Sequence, residues 1–202
     1  MSTRSLSVEA AEDTIEVWMS KPKAIPRTSS ARQAPLESLR TFGDPVLKQG
    51  TGPVTVFDSR LQRLAALMFE VMEREEGVGL AAPQVGTLTR MMVWKHPESE
   101  SERYVYVNPR IVGQSETCCT EPEGCLSVPG ATVEVTRAEE VDVEAQDLQG
   151  TTFQVHLTGL LARIVQHEVD HLDGRLILDR TSPEERRRVL KELRERTLAG
   201  GP

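Results

Sequence analysis

Apolar and polar positions alternate along this chain with two different periods. Leu61, Leu64, Ala65, Met68, Val71 and Met72 recur at helical spacing after Asp58, whose carboxylate suits an N-cap, and Gly77 follows as a stop. The spacing predicts a helix with one face in the core. Short β-rich pieces come next, at 91–94, 104–107 and 132–135. Residues 140–145 and 152–157 alternate strictly around Asp147-Leu148-Gln149-Gly150, which predicts an antiparallel hairpin. A second helix is expected from Thr158, read as its N-cap, to Gly174. On it Leu160, Ile164, His167 and His171 share one stripe, so both imidazoles should face where the apolar side chains face. A last helix, at about 182–197, opens with Ser-Pro-Glu-Glu and is basic, with few apolar positions.

The expected fold class is α+β, with short antiparallel strands and hairpins packed around a central helix that carries a His-Glu-x-x-His motif. Residues 1–38, rich in Ser, Ala, Pro and charge around an apolar patch at Ile15, Val17 and Trp18, read as a loosely ordered extension. Residues 39–180 form the domain that carries the chemistry, and 181–202 form a basic helix and tail. A length of 202 residues suits one such domain.

Composition narrows the setting. No run approaches the roughly 20 apolar residues of a membrane span, so no membrane partner is expected. A net charge of −7 counts against DNA and against broad nucleic-acid binding. The first ten residues show no apolar signal region, and the cysteine count is three, so a cytoplasmic location with free thiols is expected.

The sharpest chemical signal is His167-Glu168-Val169-Asp170-His171. Histidines at i and i+4 reach one ion together, and Glu168 lies close enough to exchange a proton with water there. A third ligand is offered by Cys125 in Glu123-Gly124-Cys125-Leu126-Ser127, since a thiolate binds zinc or iron well. Spacing alone does not separate Cys125 from Cys118 and Cys119, nor from a merely buried cysteine. Gly77-Val78-Gly79-Leu80-Ala81-Ala82-Pro83-Gln84 lacks the Lys-Ser or Lys-Thr of a phosphate loop. Taken alone it reads as a helix stop with small residues packed beneath a sheet.

These three segments, in this order, resemble the signature motifs of the peptide deformylases: Gly-x-Gly-Leu-Ala-Ala-x-Gln, Glu-Gly-Cys-Leu-Ser and Gln-His-Glu-x-Asp-His-Leu-x-Gly. Every fixed position is matched, and the resemblance runs from about Leu39 to Asp179. It implies that Cys125, His167 and His171 hold one divalent metal ion, with Fe2+ first and Ni2+, Co2+ or Zn2+ able to use the same ligands. It further implies that Glu168 transfers protons, while the Gln84 amide and the Leu126 backbone N–H stabilise an oxyanion. Val78, Gly79, Leu160 and Ile164 would hold substrate, the N-formyl-methionyl end of a new polypeptide. Some relatives dock on the ribosome through a basic C-terminal helix, which would make α-helical residues beyond Ser182 a transient contact; a solvated face is the plainer reading.

Arg163 stands where relatives usually carry an apolar residue beside the pocket, and Thr132 stands where several carry Arg. Arg137 matches a family position and is expected to pair with Glu123. A general metalloprotease would take Glu184 or Glu192 as third ligand, and a structural metal site would close with four side chains and need no base.

Overall fold

The computed structural model describes residues 15–17, 39–99 and 102–198. Most of the expected extension, Trp18 included, therefore lies outside the described residues. Residues 15–17 form a strand, β1 (Ile15–Val17), that pairs with the edge of the main sheet.

Asp58 caps α1 (Ser59–Arg74) as expected, accepting from the backbone N–H of Arg60 at 2.8 Å and of Leu61 at 3.3 Å. Seven more strands follow: β2 (Gly79–Ala81), β3 (Met91–Lys95), β4 (Arg103–Gln114), β5 (Cys118–Gly124), β6 (Thr132–Ala138), β7 (Glu140–Gln146) and β8 (Thr152–Thr158). Next come α2 (Gly159–Leu172) and α3 (Pro183–Leu198). One six-stranded sheet has the order β1-β8-β7-β4-β3-β2, and β5 pairs with β6 in a separate ribbon; all these pairings are antiparallel. The α+β expectation holds.

Period-2 alternation decides which helix covers which face of the sheet. Met91, Val93, Val105 and Val107 point to α1, where they pack with Met68, Phe69 and Met72. Met92, Trp94, Tyr104 and Tyr106 point the other way, to Leu161, Val165 and Val169 of α2. Strands covered on both sides have no polar face, which is why 91–94 and 104–107 read as continuous apolar runs. Burying each such side chain contributes about 1.5–3 kcal/mol. A third cluster, with Val128, Val133, Val135, Leu176 and Val189, sits between the β5–β6 ribbon and α3. The helix α2 is thus held between the main sheet and the ribbon, and its polar residues end up inside the protein.

The sheet differs from the expected pattern at β2, β5 and the second half of β4, none of which alternates cleanly. Beyond Val107, β4 passes Asn108 at φ 52° and two register shifts against β7, so its pairing continues through a bulge that the pattern hid. Asn108 settles this bend by donating to the carbonyl of Val54 at 2.8 Å and to Gln146 Oε1 at 2.7 Å.

Candidate active site

One turn of α2 separates His167 and His171, whose rings meet edge to face with Nε2 atoms 3.2 Å apart. The ribbon supplies the third group. At the end of β5, a turn closed by the Val128 N–H on the Cys125 carbonyl brings the Cys125 Sγ to 3.3 Å from His171 Nε2. The three donor atoms lie within 4.8 Å of one another. Cys118 is exposed, and the Cys119 thiol faces Glu121 Oε1 at 3.4 Å; neither joins the group. Glu184 and Glu192 lie on α3 and pair with Arg187 and Arg188, so they are not third ligands.

The residues around the three donors fix their orientation. His167 Nδ1 meets Glu123 Oε2 at 3.0 Å, leaving Nε2 turned to the cysteine. Glu123, itself buried, accepts two bonds from Arg137, each at 3.0 Å, and one from Arg163 at 2.7 Å. Arg137 also donates to Asp170, which Arg180 holds from the other side. Burial alone would raise the Glu123 carboxyl, yet the bonds from His167 and Arg137 outweigh it and hold the group far below the usual carboxylate range. Burial opposes charge on His167 too, but Cys125 and Glu123 beside it push its value well up. His171 moves the opposite way, through burial first and then through the His167 ring beside it.

Glu168 projects from the same helical turn and is 4% exposed. Its Oε2 has no hydrogen-bond partner, and burial, with Glu123 adding to it, raises the carboxyl to about 7 despite the opposing pull of His167 and Arg137. Gly79 of the first motif makes room for it, as Gly77 does for Leu126. A Cβ at Gly79 would sit 2.5 Å from Glu168 Oε1, and one at Gly77 would sit 2.8 Å from the Leu126 side chain. Gln84, 1% exposed, accepts from the Ala81 N–H at 2.8 Å and donates to Ser127 Oγ at 3.1 Å. It bridges the first and second motifs.

Of the residues singled out from sequence, Val78, Gly79, Gln84, Cys125, Leu126, Leu160, Ile164, His167 and Glu168 line one cavity of about 640 Å³, and His171 lies behind it. The shared stripe on α2 is not uniformly inward, since Leu160 is 42% exposed on the cavity wall, as is Val78 of the loop before β2 at 38%. Arg163 lines the cavity as expected, but its guanidinium is spent on protein partners: Glu123, Glu121 and the carbonyls of Val135 and Cys119. Its role in holding Glu123 was not visible in the sequence, nor was the role of Asp170. The fixed positions of the third motif are the signal that marks Asp170. Thr132 lies exposed on the cavity rim.

This donor set fits a divalent transition-metal ion. A thiolate and two imidazoles crowd their lone-pair atoms together, a buried carboxylate oxygen nearby lacks any partner, and a cation beside them answers both. Three protein donors leave a coordination position open, as in catalytic rather than structural sites.

Comparison with known proteins shows the family. The family model described as polypeptide deformylase matches residues 36–187. A peptide deformylase of Dictyoglomus thermophilum is 48% identical over 149 residues, covering 74% of this chain and 95% of that protein. The solved peptide deformylase of Legionella pneumophila superposes with a TM-score of 0.76 at 40% identity, over 83% of this chain and 99% of the other. That of Ehrlichia chaffeensis gives 0.77 at 31% identity, over 82% and 98%. Among the described residues no helix is long and apolar enough to cross a membrane.

Proposed function

The chain belongs to the polypeptide deformylase family, a family of metal-dependent hydrolases, and on that premise we propose that it removes the N-terminal formyl group from formyl-methionine of newly made polypeptides, releasing formate. One observation carries the reading: Cys125, His167 and His171 converge beside a partnerless Glu168 carboxylate in an apolar-walled cavity.

Each residue has a task that its surroundings support. Cys125, His167 and His171 would hold the ion, Fe2+ first, which when bound supplies the Lewis acidity that polarises the formyl oxygen and acidifies a water. Glu168 takes the proton that water gives up and returns it to the departing amine as the C–N bond breaks. Its oxygen without a protein partner is free to take that proton. The Gln84 amide and the Leu126 backbone N–H would donate to the oxygen as it gains charge, about 3 kcal/mol for each such donor. Val78, Leu160 and Ile164 accept the methionine side chain, and Gly79, on the last strand of the sheet, leaves backbone groups for the substrate chain. A thiolate donates more charge than a carboxylate, so the ion is a milder Lewis acid, matched to an unhindered formyl carbon rather than an internal peptide bond.

The test is formate release from a formyl-Met peptide by protein purified and iron-loaded without oxygen. We expect one formate per free amine, casein left intact, and both activity and metal lost in Cys125→Ala. Full metal loading with no formate would overturn the reading.

A further inference from the structure

We propose that α3 belongs to the substrate-binding apparatus, with Arg196 as a positioning residue that fixes the cavity wall at 129–132. This rests on the deformylase reading of the cavity. Pro129, Gly130, Ala131 and Thr132 line the same cavity as Glu168. Their outer side is held by α3. Arg196 Nη1 donates to the Pro129 carbonyl at 3.0 Å and Nη2 to the Gly130 carbonyl at 3.2 Å. Arg188 reaches the Thr132 carbonyl at 3.3 Å, and Glu185 accepts from the Glu134 N–H at 2.9 Å. Val189, fully buried, packs into the cluster that contains Val128, Ala131 and Val133.

The turn needs this support. Gly130 has φ 69°, and a Cβ there would collide with the Arg196 guanidinium, so the arginine lies against the backbone itself. Inside the turn the wall is tied by the Ala131 N–H on the Val128 carbonyl. Two carbonyls held by one planar guanidinium fix the wall in both position and tilt, which an ammonium on a flexible stem does less well. The Val78, Leu160 and Ile164 side is assigned to methionine, which leaves this wall to the residues that follow it. A pre-ordered wall lowers the cost of binding a longer peptide without touching the reacting bond.

The experiment compares metal-loaded wild type, Arg196→Ala and Arg196→Lys on a formyl-Met dipeptide and a formyl-Met tetrapeptide. The expected result is a roughly five- to tenfold rise in KM for the tetrapeptide in Arg196→Ala, with kcat held, the dipeptide little changed and Arg196→Lys in between. Amide hydrogen exchange at 130–132 reads the wall without turnover and should lose protection in Arg196→Ala. Unchanged KM with unchanged protection overturns the proposal, as does an equal loss on both peptides that follows a lowered Tm. Wild-type protein that releases no formate would count against the deformylase reading, while the exchange measurement still decides the brace.

Discussion

The Glu168 carboxylate occupies the space that a side chain at position 79 would need: a Cβ on Gly79 falls 2.5 Å from Glu168 Oε1 and 3.0 Å from its Cδ. Gly79→Ala must therefore push Glu168 aside, because Gly79 sits in β2 and its backbone is fixed by pairing with Trp94. With Glu168 as the proposed general base, its displacement would cost roughly 10²–10⁴-fold in rate. We expect kcat to fall into that range while one metal ion per chain is retained. Metal analysis beside formate release checks both halves.

Glu168→Gln keeps the shape and removes the titration. In the metal-free protein the folded value of Glu168 is raised from 4.5 to about 7, so folding favours the protonated form. The resulting destabilisation is absent below about pH 4.5, grows as pH rises and is complete above about pH 7. Metal-free Glu168→Gln should therefore unfold at higher urea than wild type at pH 8, by about 3 kcal/mol. The two should coincide at pH 4. With metal bound, the variant should keep the ion and lose turnover.

The opposite sign applies to Glu123. Its folded value lies far below 4.5, so the stability it contributes is complete above about pH 4.5 and is lost as pH falls through the depressed value. Glu123→Gln leaves Arg137 and Arg163 facing each other across a buried amide. Losing one partner of a buried ion network costs about 3–5 kcal/mol. Freeing the His167 ring should also weaken metal binding by about 10–100-fold. Urea unfolding at pH 7 and a metal-chelator competition measure the two losses separately.

The sequence revealed α1 and α2 because Asp58 and the apolar stripes are local signals, and it revealed the hairpin of β7 and β8 because one face of each strand is polar. It hid β2, which is three buried residues with no alternation, and β5, Cys-Cys-Thr-Glu-Pro-Glu-Gly, which is exposed over most of its length. Strands of that kind are made by their partners. The two histidines and Glu168 were legible from spacing, whereas Cys125 emerged from three thiols only once the turn after β5 was in place. Arg163 looked like a change in pocket shape because its partners, Glu121 and Glu123, lie 40 or more residues earlier in the chain and meet it only across the ribbon. The basic look of α3 likewise dissolves in part: Arg186, Arg187, Arg188 and Lys191 pair with Asp179, Glu184, Glu192 and Glu195.

X-ray absorption at the zinc edge of zinc-loaded protein measures directly what surrounds the metal. The prediction is one sulfur at about 2.3 Å, two imidazole nitrogens at about 2.0–2.1 Å and one further light atom, with the sulfur gone in Cys125→Ser. A shell without sulfur, or one closed by four protein donors, would contradict it.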